Sequence, residues 1–286
     1  MHKLSPALKA LINSPHARPG TIPAPAQIGA VYSSIAKEAE PRNVGLKAWF
    51  GAATAATMTM NSPESLVQLH KLVSEQSSQS ESVYLAELIR EIGLKCIGFN
   101  GIPRTINCLG EFRAGLPEDV QNALATQPRR HLKPEGVADI LNRGQSLWKS
   151  IYYPFETKLQ QKLAQSHPDL PVHILEGEYG NLFADPAATA TTQGVVPATV
   201  GRVLTSIVAV SCLRAQTGVG PQVVSHVFGL RKAFEDGTAK TDEIEGGQWL
   251  SSDEGSIWLI GIVDRIVDAI GKGDGTSFAP GLKAKL

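Results

Sequence analysis

The sequence predicts an all-α protein, and three observations support this fold class. Aromatic residues make up only 6% of the chain, and Ala, Leu, Ile and Val supply most of its apolar side chains, which favours packed helices over a β-sandwich. Glycine and proline divide the 286 residues into segments of helical length. Within these segments apolar residues recur at intervals of three and four, so each segment can bury one face of a helix.

The N-terminal arm is assigned to residues 1–40 and is rich in proline, although helical patterning already starts at residue 28. Lysine and arginine occur before Glu38 but no acidic residue does, which is typical of a mitochondrial address. The prolines between Pro15 and Pro25 make this segment a poor amphipathic helix. The arm is therefore either a mitochondrial targeting segment or an extended arm.

A first helical repeat is predicted over residues 41–125. It begins with an apolar helix at 44–60, continues with a helix that starts at Pro63 and carries His70, and ends with two helices that a turn at 100–103 separates. Proline suits the first position of a helix because the backbone N–H of that position has no intrahelical acceptor.

Linker helices and a second helical repeat are predicted over residues 126–270, with the linker helices near 135–148 and 154–166. Residues 185–201 are almost all Ala, Thr, Gly, Pro and Val, and we expect a mobile loop or lid there. Closely spaced glycines end the last helix, which predicts a flexible tail over 271–286.

The second repeat has the clearest helical patterns. From Arg202 to Leu213 the chain is apolar almost all round, which predicts a central, buried helix. A glycine-proline break then starts a helix that carries His226, and the last helix keeps its apolar residues in phase over 259–270. Because His70 and His226 both lie on the second turn of a helix that starts at a proline, we infer an internal duplication.

Charge, hydropathy and cysteine content exclude several classes of protein. The 27 basic and 27 acidic residues leave no net charge, which argues against a nucleic-acid partner. The longest charge-free apolar run, between Arg202 and Arg214, is shorter than the roughly 20 residues of a membrane-spanning helix, so no membrane association is expected. Three cysteines in a chain of this length fit a reducing compartment. We expect an intracellular protein of the cytoplasm or the mitochondrion.

Two stretches of the sequence carry a family resemblance. Leu94–Asn107, LKCIGFNGIPRTIN, places a Gly, an apolar residue and a Pro at a helix junction, and Glu178–Phe183, EYGNLF, is followed by Arg202 and then by His226. In this junction, and in the order Tyr-Gly, Arg and His, the chain resembles the carboxymuconolactone decarboxylase family of the alkylhydroperoxidase D-like superfamily. The resemblance implies a duplicated alkylhydroperoxidase D-like helical fold that assembles as a homo-oligomer, a dimer or trimer of the duplicated chain.

The chain lacks the redox motif of the peroxidase branch of that superfamily. That branch carries a Glu, a spacer, and then Cys-x-x-Cys-x-x-x-His, in which a thiolate attacks peroxide and the second cysteine resolves the product. Counted back from His226, the positions of the Glu and the two cysteines hold Ile207, Val219 and Gln222. Counted back from His70, the same positions hold Gly51, Pro63 and Leu66. Neither repeat therefore supports the dithiol relay of the family.

His226, Arg202 and Glu178 are the predicted catalytic residues of a cofactor-free acid/base enzyme. A His of near-neutral pKa moves protons next to the carbonyl of a small carboxylic acid or lactone, and an Arg holds the carboxylate of the substrate. Glu178 precedes the Ala/Thr-rich segment and supplies a carboxylate. The alternatives are that His226 fills a helix interface and that Glu178 is a solvated surface residue.

Two other functions stay open on the sequence. Cys108, one turn beyond Pro103, and Cys96 are candidates for a thiol-dependent peroxidase, because the start of a helix favours a thiolate. Buried cysteines also act as small apolar residues, the role we expect of Cys212.

The absent redox motif also fits a non-catalytic scaffold or assembly protein. No metal-ligand spacing and no glycine-rich phosphate loop is recognisable, so neither a metal nor a cofactor is predicted.

Overall fold

The computed structural model describes residues 4–17, 20–186, 197–241 and 244–274, and all regular structure within these ranges is helical. The α-helices, in chain order, are α1 Pro6–Ile12, α2 Ile28–Ala39, α3 Leu46–Thr59, α4 Pro63–Ser74, α5 Gln79–Lys95, α6 Ile97–Asn100, α7 Ile102–Gly115, α8 Glu118–Ala123, α9 Val137–Tyr152, α10 Glu156–Ser166, α11 Leu170–His173, α12 Gly201–Gln216, α13 Gly220–Glu235, α14 Gly247–Leu250 and α15 Asp253–Gly271. A π-helical segment, Ile174–Leu182, follows α11, and short 3₁₀ turns occupy Pro15–Ala17, Glu40–Arg42, Pro134–Gly136 and Thr238–Thr241. The predicted all-α class is confirmed.

The centre of the fold is the pair of helices α3 and α12, which pack closely against each other. Both are buried on nearly all sides, and in α12 only Gly201 and Arg214 are not buried. A β-carbon at Gly51 of α3 would stand 2.5 Å from the Cδ1 atom of Leu204 in α12. The small side chain of glycine thus lets the two helices approach, and the prediction of a central, buried helix after Arg202 is confirmed.

The other helices cover this pair and divide the apolar interior into two clusters. α2, α4, α5 and α15 lie against α3, α13 and α15 lie against α12, and together they enclose the main core. A smaller core forms where α9 packs on the π-helical segment, from Trp148, Ile151, Leu175, Tyr179 and Phe183. Because α13 contacts both α12 and α9, it joins the two clusters.

Three predicted segments are altered or left undescribed by the structure. α2 buries Ile28, Tyr32 and Ile35 in the main core, so the folded part begins inside the segment that the sequence assigns to the arm. The reason is the apolar stripe of α2, which needs a partner surface. Most of the loop predicted at 185–201, and the tail from residue 275 onward, lie outside the described residues.

A buried ion pair joins the end of α5 to the beginning of α12. The Lys95 Nζ atom lies 3.0 Å from Asp185 Oδ1 and donates a hydrogen bond to the backbone oxygen of Phe183. The Asp185 carboxylate also accepts hydrogen bonds from the backbone N–H groups of Val200 and Gly201, at 3.0 and 2.7 Å. Asp185 therefore satisfies backbone donors at the N-terminus of α12, where the helix dipole favours a negative charge.

Glu91 and Arg130 extend this pair into a cluster of four charges. Glu91 Oε1 lies 3.7 Å from Lys95 Nζ and accepts a hydrogen bond from Arg130, whose Nε donates to the backbone oxygen of Ala184 at 2.9 Å. Desolvation lowers the pKa of Lys95 and raises that of Glu91, and the opposite charges of the cluster counteract both shifts. Two cations and two carboxylates thus compensate one another in a poorly solvated place.

The helix α9 and the π-helical segment touch backbone to backbone at two glycines. A β-carbon at Gly144 would stand 2.3 Å from the backbone oxygen of Leu175, and one at Gly180 would stand 2.7 Å from that of Ile140. Backbone atoms cannot rotate away as a side chain does, so any larger residue at either position forces the two elements apart.

Gly144→Ala is expected to lower the free energy of unfolding by about 1–3 kcal/mol, because overpacking shifts the backbone. Urea denaturation followed by circular dichroism measures the change. Gly110→Ala is the matched control. Gly110 is an exposed residue of α7, and a β-carbon there would meet nothing within 4 Å. Alanine at this position is therefore expected to raise the free energy of unfolding by about 0.5–1 kcal/mol. Equal effects of the two substitutions would contradict the close packing of α9.

Candidate functional site

Aromatic side chains from several parts of the chain surround His226 of α13. Phe99 comes from α6, Tyr152 from α9 and Tyr179 from the π-helical segment, and Phe183 follows that segment directly. The ring centroids of Phe99 and Tyr152 lie 6.1 and 6.0 Å from that of His226, and Phe99 stacks on Phe183 at 5.5 Å. We call these five residues the histidine cluster.

His226 is a buried imidazole with one nitrogen engaged. Its Nε2 atom lies 3.3 Å from the Tyr152 hydroxyl, which lies 2.9 Å from the Tyr179 hydroxyl. Its Nδ1 atom is buried and has no hydrogen-bond partner among the described residues. Burial lowers the pKa of His226 to about 4, and the nearby charge of Arg202 contributes to that decrease. The imidazole is therefore neutral at pH 7, with a lone pair on one nitrogen.

The π-helical segment brings two consecutive residues, Glu178 and Tyr179, to this place. Tyr179 is buried, and desolvation raises the pKa of its hydroxyl well above the ordinary value. Such i→i+5 hydrogen-bonded segments are rare in proteins and often occur at functional sites. The π-helical backbone thus supports this region as a candidate functional site.

The Glu178 carboxyl is half-buried, unlike the solvated residue that the sequence leaves as an alternative. A β-carbon at Gly98 would stand 2.7 Å from Glu178 Oε2, and this oxygen has no hydrogen-bond partner in the described part of the chain. Desolvation raises the pKa of Glu178, and His173, whose Nε2 lies 4.0 Å from Glu178 Oε1, counteracts the rise. Glu178 is consequently easier to protonate than an exposed glutamate.

Arg202 connects three helices through its guanidinium. It donates hydrogen bonds to Ser150 Oγ in α9 at 2.9 Å, to Ser206 Oγ in α12 at 2.7 Å and to the backbone oxygen of Gly229 in α13 at 2.7 Å. The sequence predicts that Arg202 holds a substrate carboxylate, whereas these bonds direct the guanidinium to the protein itself. Arg202 positions the helices around His226 and makes the imidazole harder to protonate.

The three cysteines are all buried, and burial opposes the thiolate that the sequence predicts at Cys108. Cys108 Sγ lies 3.7 Å from the backbone oxygen of Met58 and 3.6 Å from Asn61 Oδ1. Burial raises the pKa of Cys108 to about 12, so desolvation outweighs the thiolate-favouring effect expected from the helix start. Cys96 contacts Cys212, a pairing that no sequence pattern indicated.

The two main cavities of the described structure lie away from the histidine cluster. Cavities of about 500 and 340 Å³ are lined by residues around Lys240 and around Arg143, respectively, and by no member of the cluster. Among the described residues, no group of three His, Cys, Asp or Glu side chains is arranged to hold a metal ion. Within the same ranges no helix has the length and apolar content needed to cross a membrane.

Tyr152 and Phe99 are site residues that sequence reasoning misses. A signal for part of the cluster does exist: Trp148 and Tyr152, like Tyr179 and Phe183, are aromatic pairs four residues apart in a chain with few aromatic residues. A four-residue interval places each pair on one face of a helix. The convergence of these faces on His226 has no sequence signal, because it depends on how α6, α9 and α13 pack.

Comparison with known proteins finds a distant relative. Peroxisomal protein 2 of Saccharomyces cerevisiae is 25% identical over 198 residues, which cover 62% of this chain and 66% of the relative. The match thus spans just under two thirds of the length of that protein. No protein-family model matches the chain, and no solved structure matches it.

The buried, neutral state of His226 predicts a loss of stability in acid. The ordinary pKa of 6.5 applies to the unfolded chain, and the pKa is about 4 in the fold. The stability that the neutral imidazole contributes is therefore fully present above pH 6.5. It decreases as the pH falls from 6.5 and is lost as the pH falls through 4. It amounts to at most about 3 kcal/mol of unfolding free energy.

His226→Gln is expected to flatten this dependence. Urea denaturation of the wild type and the variant at about pH 7 and about pH 4.5 measures the difference between their free energies of unfolding. The wild type should lose more of its stability between the two pH values than the variant does. Parallel losses in both proteins would show that His226 is not buried in its neutral form.

Proposed function

We propose that the protein is a cofactor-free acid/base enzyme whose site is the histidine cluster together with Glu178. His226 is the general base through Nδ1, the Tyr152 hydroxyl positions the imidazole, and Glu178 is the proton donor. The substrate class is a small carboxylic acid or lactone with a C–H group next to a carbonyl. The observation that carries the proposal is the buried Nδ1 atom without a partner among the described residues, because such an atom costs free energy unless a ligand completes its hydrogen bonds.

The positions of two of the unpartnered polar atoms, His226 Nδ1 and Glu178 Oε2, support a common site. Phe99 stacks on Phe183 and has the His226 ring at its edge. Gly98, the neighbour of Phe99, lies against Glu178 Oε2, and Phe183 lies against the same glycine. His226 and Glu178 therefore flank one aromatic pair. Phe99 is only partly buried, so a substrate approaches the cluster from the side of its ring.

The proton transfer follows from the state of each group. With its proton on Nε2, His226 donates a hydrogen bond to the Tyr152 oxygen, and its Nδ1 lone pair takes a proton from the substrate carbon. The low pKa of His226 makes it a weak base, so the adjacent carbonyl has to acidify the C–H bond. Glu178, whose pKa is raised, protonates the oxygen on which negative charge develops.

The family resemblance is part of the proposal. We assign the chain to a duplicated alkylhydroperoxidase D-like fold that assembles as a dimer or trimer. In support, α3 and α12 are the two central helices, and each is followed by a helix with a proline in its first turn and a buried histidine, His70 in α4 and His226 in α13.

His226→Gln is expected to lower the rate of substrate deprotonation by about 100-fold or more, because it removes the base. Exchange of C–H for C–D in D₂O, followed by proton NMR over a panel of 2-oxo acids, 3-oxo acids and γ-lactones, measures this rate. Tyr152→Phe should reduce it less, since that hydroxyl only positions the ring.

His70→Gln is the matched control for this experiment. His70 is a second buried histidine, and its Nε2 atom lies 2.9 Å from the backbone oxygen of Ser82, away from the histidine cluster. The folded His70→Gln variant, checked by circular dichroism, should keep the exchange rate within about 3-fold of the wild type. Equal losses in both histidine variants, or exchange that His226→Gln does not slow, would contradict the proposed site.

We also propose that the protein is imported into peroxisomes, in place of the cytoplasm or mitochondrion expected above. The name of the yeast relative supports this compartment.

A fluorescent protein fused to the N-terminal side of the chain is expected to co-localise with a peroxisomal marker. The fluorescent protein alone is the control and should stay in the cytoplasm. Identical distributions of the two proteins would contradict the proposed compartment.

A further inference from the structure

Cys96 and Cys212 form a buried thiol pair between the two halves of the chain. Cys96 follows the last residue of α5, and Cys212 lies within α12. Their sulfur atoms are 3.5 Å apart although 116 positions separate them in the sequence, and neither side chain is exposed. At this distance the two sulfurs are in van der Waals contact, and a disulfide requires them to approach to about 2 Å.

We propose that Cys96 and Cys212 are a redox-active dithiol that a hydroperoxide converts into a disulfide between α5 and α12. This site uses no residue of the histidine cluster and does not depend on the acid/base function. It also differs from the dithiol motif of the resembled superfamily, in which both cysteines lie on one helix.

The oxidation balances with one molecule of hydroperoxide. One cysteine, as its thiolate, attacks the peroxide, so that an S–O bond forms and the O–O bond breaks, and the leaving oxygen takes the released proton as water or an alcohol. The second sulfur then attacks the sulfenic acid, the S–S bond forms, the S–O bond breaks, and hydroxide leaves with the second proton as water. Both sulfurs are oxidised and both peroxide oxygens are reduced.

The structure provides a polar neighbour for the thiol pair. Asn100 Nδ2 lies 4.0 Å from Cys212 Sγ, where it can support a thiolate, and Asn100 ends α6, a helix of a single turn. The hydrogen bond with Cys212 and, after it, burial raise the pKa of Cys96, so the oxidation is slow at neutral pH and faster as the pH rises.

Mass spectrometry of the intact protein tests the proposal. The folded protein is treated with hydrogen peroxide, denatured, and its remaining thiols are alkylated. We expect a loss of about 2 Da before alkylation, a single alkylated cysteine, Cys108, and a cross-linked peptide that contains Cys96 and Cys212. Dithiothreitol should restore three alkylated thiols. Three alkylated thiols without dithiothreitol, or a disulfide that contains Cys108, would overturn the proposal.

Three serine variants assign the cross-link. Cys108→Ser should still lose about 2 Da, whereas Cys96→Ser and Cys212→Ser should not. The far-ultraviolet circular dichroism of each variant shows that it is folded. The oxidised wild type should also have a higher Tm than the reduced protein, because the disulfide closes a long loop of the unfolded chain. A cross-link that persists in folded Cys212→Ser would contradict the assignment.

Discussion

The ion pair between Lys95 and Asp185 is the contact on which the geometry of the candidate site depends. It links the end of α5 with the N-terminus of α12, and the same lysine holds the backbone of Phe183. The ring of Phe183 in turn stacks on Phe99 beside His226. A buried charge that loses its partner is strongly destabilising. The ion pair therefore fixes these segments relative to one another.

The surroundings of His226 favour its neutral form in two independent ways. Desolvation and the charge of Arg202 both lower the pKa of the imidazole, while the Tyr152 hydroxyl holds one of its nitrogens. The other nitrogen and Glu178 Oε2 are buried without partners in the described part of the chain. Polar atoms in this state oppose folding. Because both atoms lie next to the Phe99–Phe183 pair, we propose the site there rather than at the two cavities.

Much of the helical architecture was predictable, and much less of the site was. The buried helix after Arg202 and the helices that carry His70 and His226 follow from local patterns, and the structure has them. For His226 the sequence left two interpretations, a catalytic base or a filler of a helix interface. Its burial fits both, and only the unpartnered Nδ1 favours the first. Burial raises the pKa of Cys108, an effect that the pattern of its own helix does not indicate.

The sequence by itself determined most of the long helices, because capping, proline placement and apolar periodicity act within a few residues. Only the tertiary structure decided which side chains meet. Tyr152 and His226 are 74 positions apart and Cys96 and Cys212 are 116 apart. Contacts over such separations arise from the packing of α3 on α12 and of α13 on α9. That packing depends on the shapes of whole helix faces, which a local pattern does not specify.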